Sequence, residues 1–188
     1  MTNESELNKL ITGCKNKDRK SQKRLYELYN KRLFILCNRY CRNEAEDVLQ
    51  VAFIKIFNNI EKYEGSGSFE GWIKKITINT AISAYHKRNI LQNSNDIVDY
   101  EEFSIDDKYA DVVSQMSAQN ILELINSLPD IYRVTFNLYA IEGYKHNEIA
   151  EMLQISEGTS KSQLSRARKM LQEKLEHTTL KEKNIKYA

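Results

Sequence analysis

The chain has 188 residues, of which 41% are hydrophobic and 29% are charged, with a formal net charge of +2, a composition that is ordinary for a globular protein. One proline and six glycines are too few for the tight turns of a β-sandwich or β-barrel. No apolar run approaches the roughly 18 residues that a membrane-spanning helix needs. We therefore expect a cytoplasmic protein without membrane insertion.

Charge is unevenly distributed and predicts three segments. Residues 1–92 hold 17 Lys and Arg against 10 Asp and Glu, residues 93–117 hold one against seven, and residues 118–188 hold 10 against nine. A basic block, an acidic strip and a mixed block indicate a first domain, a linker and a second domain, with a C-terminal tail from about residue 176.

The first block contains three amphipathic runs. Apolar residues recur at three- and four-residue steps in Leu25–Leu36, again in Val48–Phe57, and a third time in Phe69–Tyr85. The glycine-serine sequence Glu64–Ser68 must interrupt the helices. This pattern predicts a compact domain of three or four helices with a shared apolar core.

Periodicity weakens across the acidic strip, residues 93–117, which buries too little apolar surface to fold alone. We expect a largely extended linker. Its seven acids are compatible with an ordinary solvated tether or with a strand that occupies a basic nucleic-acid channel, and composition alone favours the tether.

Four short apolar runs follow in the second domain, and they predict four helices: Ile121–Leu128, Ile131–Ile141, Glu148–Leu153 and a run that begins after Ser156. Pro129 suits the start of the second helix, and Gly143 suits a position of positive φ after its end. The hydroxyl of Ser156 is well placed to cap the fourth helix. The domain is therefore all-helical, like the first.

The last two helices have the spacing of a helix-turn-helix. About three residues join them, and the small Ala150 permits a close crossing. Leu164, Leu171 and Leu175 form a narrow apolar seam on the fourth helix. Hydroxyl and basic residues occupy the rest and predict a helix that enters the major groove of DNA: Lys161, Ser162, Ser165, Arg166, Arg168 and Lys169. Arg168 lies nearer the seam, where phosphate is the expected contact.

Patterns for catalysis, cofactors and metals are weak. The three cysteines are Cys14, Cys37 and Cys41, and no histidine lies near the last two to complete a zinc site. We expect buried thiols, no metal and no cofactor. His146 and Glu148 spell part of a zinc-deaminase motif, but no PCxxC follows. A nuclease that uses the acids near Asp47 is conceivable, although acids also suit a helix N-terminus. We expect no enzyme.

Three sequence segments together resemble a bacterial sigma factor of group IV, the extracytoplasmic-function (ECF) type of the sigma-70 family. Ala45–Phe57 is similar to region 2.2, Phe69–Asn89 to regions 2.3–2.4 and Ser127–Leu171 to region 4, in the family's order. The resemblance implies two helical domains, region 2 in residues 1–92 and region 4 in residues 118–188. The alternative is a helix-turn-helix transcriptional regulator without a sigma role.

The resemblance also implies partners. A sigma factor binds bacterial core RNA polymerase at the β′ clamp helices and the β flap, recognises the −35 and −10 elements of promoter DNA, and helps to open the DNA without catalysing a reaction. An anti-sigma factor is a further partner that such proteins often have. A sigma linker follows the RNA-exit path of the polymerase, where an acidic strip resembles nucleic acid.

Individual positions match the family's functional residues. The contacts implied for core polymerase are Asp47, Gln50, Phe53 and Ile54, and we expect at least one of the last two in the core. The positions implied for the −10 element and for melting are Ser66, Ser68, Phe69, Trp72, Lys74, Lys75, Asn79, Lys87 and Arg88. The −35 positions are Lys161, Ser162, Ser165 and Arg166.

Three positions depart from the family. Val51 replaces a usual acid, which removes one polar contact. Lys145 replaces a usual capping serine, which should leave Glu148 without its capping-box partner. Ser160 replaces a usual Val or Ile and removes a seam residue. We expect the last two changes to make the helix-turn-helix less rigid.

Overall fold

The computed structural model describes residues 4–90 and 116–186, and all regular secondary structure in these two ranges is helical. The prediction of an all-α protein is thus confirmed. The chain forms two compact units, Met1–Asn93 and Ser94–Ala188. Most of the predicted linker, residues 93–115, lies outside the described residues. Among those described, no helix has the length and apolar character to cross a membrane.

The first unit contains four α-helices: α1 (Glu4–Lys15), α2 (Arg19–Tyr40), α3 (Ala45–Asn59) and α4 (Phe69–Ile90). The three amphipathic runs of the sequence lie in α2, α3 and α4, as predicted. Short 3₁₀ turns, Arg42–Glu44 and Ile60–Lys62, join the middle elements. The apolar faces of the α-helices pack into one core, in which Leu25, Cys37, Ala52, Ile56 and Ala81 have no exposed surface.

A close crossing joins α1 to α2. Asp18 caps α2 by accepting hydrogen bonds from the amides of Lys20 and Ser21. Gly13 of α1 lies so near that a Cβ atom there would be 2.1 Å from Ser21 Oγ and 2.7 Å from Ser21 Cβ. Glycine at position 13 therefore sets how closely the two helices pack.

The second unit contains α5 (Ala118–Asn126), α6 (Asp130–Phe136), α7 (His146–Leu153) and α8 (Glu157–Lys186). The four predicted helices are all present. A π-helical segment, Asn137–Ile141, extends α6 and ends before Gly143, which has the expected positive φ of 80°. Helix α8 runs past residue 176, so the segment predicted as a tail continues the helix.

The core of the second unit includes Leu128, Ala167 and Leu171. Arg133 of α6 is 1% exposed beside this core, and its guanidinium donates 3.1 Å to the carbonyl oxygen of Leu128 and pairs at 2.7 Å with Asp130. A buried charge needs such partners, because its desolvation is otherwise costly. The pair fixes the corner between α5 and α6.

Candidate nucleic-acid and protein interfaces

One face of α3 is exposed and mixes polar with aliphatic side chains. Asp47, Gln50, Val51 and Ile54 follow each other at steps of three, one and three residues, so they share one side of the helix. Val51 is 44% and Ile54 is 59% exposed. We call these four residues the α3 face. Val51, where the family has an acid, thus adds an apolar contact surface.

Phe53, next to this face on α3, is buried and belongs to the core. It is 4% exposed, and its ring packs 4.6 Å from that of Tyr26 and 5.9 Å from that of Phe57. Of the two apolar residues predicted to contact polymerase, only Ile54 is therefore available on the surface. The Phe53 side chain thus contributes to the packing of α3 against α2.

Apolar side chains of α2 extend the exposed surface beside α3. Tyr26, Phe34 and Ile35 are 40%, 36% and 49% exposed. Tyr26 and Phe34 line a groove between the two helices, which Gln50 borders. This flank was not predicted from the sequence. The sequence does indicate exposed apolar side chains here, because Leu33–Cys37 is apolar throughout and a helix can bury only one side of such a run.

A second groove lies between the end of α3 and α4. Trp72 and Asn79, both predicted for the −10 element, line it together, two helical turns apart on α4. Lys55 and Asn59 of α3 and Lys62 of the following turn line the other side. We call these five residues the melting groove, after the role that the sequence predicts for Trp72 and Asn79. The side formed by Lys55, Asn59 and Lys62 was not predicted, since no motif in the sequence links Lys55 or Lys62 to Trp72.

The loop Glu64–Ser68 leads into α4. Gly65 and Gly67 have φ values of 83° and 91°, a region that side chains other than glycine disfavour. Ser66 and Ser68 are exposed, and Ser68 Oγ accepts from the amide of Gly71 at 3.1 Å, so Ser68 caps α4. The last residue of the loop, Ser68, is thus fixed by its role as the N-cap of α4.

Phe69 does not reach the surface. It is 3% exposed, with its ring 5.1 Å from that of Tyr63 and 5.7 Å from that of Trp72. The prediction that it contacts DNA requires exposure that the structure does not give. Phe69 lies in the first turn of α4, immediately after the loop, where its ring packs against Trp72.

The predicted cations of α4 are spread along the helix. Lys74, Lys75 and Lys87 are exposed, and Arg88 is half-buried with its guanidinium 6.0 Å from the centre of the Tyr85 ring. Lys87 and Arg88 line a further groove that α3 also borders with Asp47 and Val51. The basic end of α4 therefore lies beside the α3 face.

The helix-turn-helix has the predicted form. Three residues, Gln154 to Ser156, join α7 to α8, and Gln154 adopts the left-handed conformation with φ of 55°. Ser156 Oγ accepts from the amide of Thr159 at 2.9 Å, which confirms it as the cap of α8. Ala150 and Leu164 are buried where the helices cross.

Glu148 retains half of the capping box. Its Oε2 accepts a hydrogen bond of 2.8 Å from the backbone amide of Lys145. A lysine side chain has no acceptor and cannot supply the reciprocal bond. The loss expected at Lys145 is therefore limited to the reciprocal side-chain bond, because the Glu148 carboxylate reaches the backbone of residue 145 whatever its side chain.

Ser160 is part of the interface between α7 and α8. It has no exposed surface, and its hydroxyl lies 2.9 Å from Nδ1 of His146. The imidazole also stacks on Tyr139, with ring centres 4.6 Å apart. Burial, with help from the nearby Lys161 and Arg168, lowers the pKa of His146 below its ordinary value of 6.5. A hydrogen bond thus replaces the apolar contact expected at position 160.

The predicted DNA-contacting residues of α8 divide into two groups. Lys161, Arg166 and Lys169 are exposed cations. Ser162 and Ser165 are only 3% and 7% exposed, so they do not share the exposed surface that the helical pattern predicted for them. Ser162 Oγ donates to the carbonyl of its own helix at residue 159, which ties the hydroxyl to the backbone.

Both arginines of α8 contact tyrosines. Arg166 Nη1 donates to the hydroxyl of Tyr132 in α6, at 3.3 Å. The guanidinium of Arg168 lies 5.7 Å from the centre of the Tyr139 ring. These contacts place α6 and the segment after it against α8. The exposed side chains among those predicted to contact DNA on α8 are therefore all cations: Lys161, Arg166 and Lys169.

The cysteines are free and buried. Burial raises the pKa of Cys14 to about 11 and that of Cys37 to about 12. Cys41 Sγ donates to the carbonyl oxygen of Ala81 at 3.3 Å. Thiols with such pKa values are weak nucleophiles and weak metal ligands at neutral pH. The geometry of the described residues supports a packing role for them.

Comparison with known proteins gives two family matches. Residues 25–90 match the model of Sigma-70 region 2, and residues 118–171 match that of Sigma-70, region 4. An ECF RNA polymerase sigma-E factor of Haemophilus influenzae is 28% identical over 177 residues, which cover 89% of this chain and 94% of the relative. The ECF RNA polymerase sigma factor SigW of Bacillus subtilis is 28% identical over 183 residues, covering 92% and 98%.

The chain is also similar to a solved structure, that of the sigma factor RpoE of Bartonella quintana in complex with the anti-sigma factor NepR. It is 25% identical, with a TM-score of 0.47, and the match covers 82% of this chain and 96% of that one.

Proposed function

The chain belongs to the ECF sigma factors of the sigma-70 family, and we propose that it binds bacterial core RNA polymerase, recognises the −35 and −10 promoter elements and promotes DNA opening. One observation carries the proposal. Besides the helix-turn-helix, a separate unit holds the melting groove, in which an indole, an amide and cations lie together. A regulator that only binds duplex DNA has no use for such a groove.

In this proposal α8 reads the −35 element. Lys161 and Lys169 contact phosphates, and Arg166, held by Tyr132, reaches a base edge in the major groove. A good bidentate contact contributes roughly 1–3 kcal/mol of discrimination. Ser162 and Ser165 are buried, so the contact surface of α8 in this proposal is formed by the cations alone.

The melting groove captures an unpaired base of the −10 element. Extruding a base costs a few kcal/mol, and stacking on an aromatic ring returns about 1–3 kcal/mol per base. Trp72 offers the ring and Asn79 offers an amide that both donates and accepts. Lys55 and Lys62 attract the strand that carries the base. Lys74, Lys75, Lys87 and Arg88 extend the cationic surface along α4.

The α3 face docks on core polymerase. Its aliphatic pair, Val51 and Ile54, is exposed in the free chain, and Asp47 and Gln50 offer polar contacts that fix the docking register. The polymerase supplies the chemistry, since sigma factors are initiation factors and not enzymes. An anti-sigma factor stays a prediction from the family resemblance.

Reconstituted transcription tests this function. Bacterial core polymerase, the full chain and a library of templates with randomised promoter sequence are incubated, and the transcripts are sequenced from their 5′ ends. We expect start sites downstream of paired, spaced motifs. The double variant Asp47→Ala with Gln50→Ala should lose initiation and keep duplex binding by α8. Sequence-specific duplex binding by the wild-type chain without any initiation would favour the helix-turn-helix regulator instead.

A further inference from the structure

The loop Glu64–Ser68 is closed by the residue that precedes it. The hydroxyl of Tyr63 donates to the carbonyl oxygen of Gly67 at 2.8 Å, across the loop. The carbonyl of Tyr63 in turn accepts from Lys15 Nζ at 2.7 Å. Tyr63 therefore connects the start of the loop with Gly67 near its end, and Lys15 of α1 fixes the backbone of Tyr63 at the start.

Aromatic packing aims the hydroxyl of Tyr63. Its ring lies 5.1 Å from that of Phe69, edge to face, and 5.5 Å from that of Trp72. Trp72 belongs to the melting groove. Tyr63 thus contacts a wall of the groove with its ring and the end of the loop with its hydroxyl, so the two parts are positioned by the same side chain.

The loop sequence by itself is unusually free. Gly65 and Gly67 lie at positive φ, and a Cβ at either position would meet nothing within 4 Å. The glycines are therefore needed for backbone conformation and not for space. A glycine-serine segment without anchors samples many conformations, and ordering it on binding lowers affinity. The contacts of Tyr63 and Lys15 remove part of that freedom before any DNA is bound.

We propose that Tyr63 and Lys15 are positioning residues that preset the Glu64–Ser68 loop for capture of the unpaired −10 base, and that they thereby determine base selectivity. The inference rests on the proposed function. It gives a role in DNA reading to α1, which lies outside the segment that matches region 2. Neither residue needs to touch the base, because each acts through the loop backbone.

Relaxation of backbone ¹⁵N nuclei in the full-length chain tests the presetting directly. We expect order parameters typical of rigid backbone, about 0.8, at residues 65–67 of the wild type, and values below about 0.6 in Tyr63→Phe and in Lys15→Met. Tyr63→Phe keeps the ring and deletes only the hydroxyl. Tyr144→Phe makes the same change in the second unit, and Lys9→Met removes an exposed cation from α1, so both controls should leave the loop rigid. Equal loop mobility in all five proteins overturns the proposal.

Binding by the holoenzyme tests selectivity. The probes are a single-stranded −10 oligonucleotide, selected from a random pool with the wild-type holoenzyme, and the same oligonucleotide with an abasic site at the captured position. We expect the affinity ratio of the two probes to fall roughly 3- to 10-fold in Tyr63→Phe and Lys15→Met, the range for loss of one hydrogen bond. Affinity for the abasic probe should stay unchanged. Lys9→Met should preserve the ratio.

An unchanged ratio in both variants, or an equal loss of affinity for both probes, overturns the inference, because a general structural or charge effect does not depend on the base. Failure of the wild type to initiate with core polymerase overturns the proposed function, and this inference with it. Normal initiation together with an unchanged ratio overturns this inference alone.

Discussion

Truncation of Ile54 tests the α3 face as the docking surface for core polymerase. The side chain is 59% exposed, which corresponds to roughly 100 Å² of apolar surface that docking can bury. At about 25 cal/mol per Å², complete burial contributes roughly 2.5 kcal/mol, and alanine retains about a third of it. Ile54→Ala should therefore weaken polymerase binding by about 1.5 kcal/mol, or roughly tenfold in Kd.

The assay is competition between unlabelled variants and a fluorescent wild-type chain for core polymerase. Folding is measured in parallel by thermal unfolding, where we expect a change within about 0.5 kcal/mol, as for other surface substitutions. Ile141→Ala, which truncates a 37% exposed isoleucine of the second unit, is the matched control and should bind normally. Ile56→Ala removes a fully buried side chain and should cost about 2–5 kcal/mol of stability. Wild-type affinity in a correctly folded Ile54→Ala would refute the docking assignment.

Three further predictions concern packing, DNA reading and pH. Gly13→Ala should destabilise the first unit by roughly 1–3 kcal/mol in chemical denaturation, because its Cβ would overlap Ser21. Arg166→Ala should weaken binding to −35 duplex by roughly 1–3 kcal/mol and relax base preference at one position, read by binding to a duplex library. Stability of the second unit should fall as pH drops below 6.5, since the unfolded chain then takes up a proton that His146, with its lowered pKa, resists until more acidic pH. In His146→Asn, which can still bond Ser160, this part of the pH dependence should vanish.

Each of these three predictions has a result that would contradict it, and the first also has a control variant. Gly158→Ala places a Cβ 3.6 Å from its nearest neighbour, an ordinary contact, so the helix should gain up to about 1 kcal/mol from the better helix former. A stabilising Gly13→Ala would show that α1 and α2 can separate at no cost. Undiminished base preference in Arg166→Ala would assign the residue to phosphate. A pH profile shared by wild type and His146→Asn would remove His146 as the cause.

Helical periodicity predicted the fold because each helix buries one seam and leaves the rest in water. Leu25 and Leu33 of α2 and Leu164 and Leu171 of α8 lie in the core as their spacing indicates. Local signals also sufficed for the ends, since the cap formed by Ser156 involves only the next three residues. Such features need no knowledge of the neighbouring helices, and therefore they can be read from the sequence.

The site was less predictable because its walls come from separate elements. A helical wheel orders the residues of α8 relative to one another, but it does not say what packs around the helix, and Ser162 and Ser165 are buried despite facing away from the leucine seam. The contact of Lys15 with Tyr63 joins a side chain to a carbonyl 48 residues away. No residue-type preference marks such a pair, since every residue has a carbonyl.

Ser160 and Lys145 show how a departure from family sequence is absorbed locally. Both were expected to loosen the helix-turn-helix, and at both positions a hydrogen bond stabilises the same contact. An apolar seam residue would tolerate sliding between α7 and α8, whereas the 2.9 Å contact of Ser160 with His146 is directional and fixes the register. The stacking of His146 on Tyr139 extends this constraint to the segment after α6. Helix α8 is thus held by a directional hydrogen bond, which makes its rigidity sensitive to the charge of the His146 imidazole.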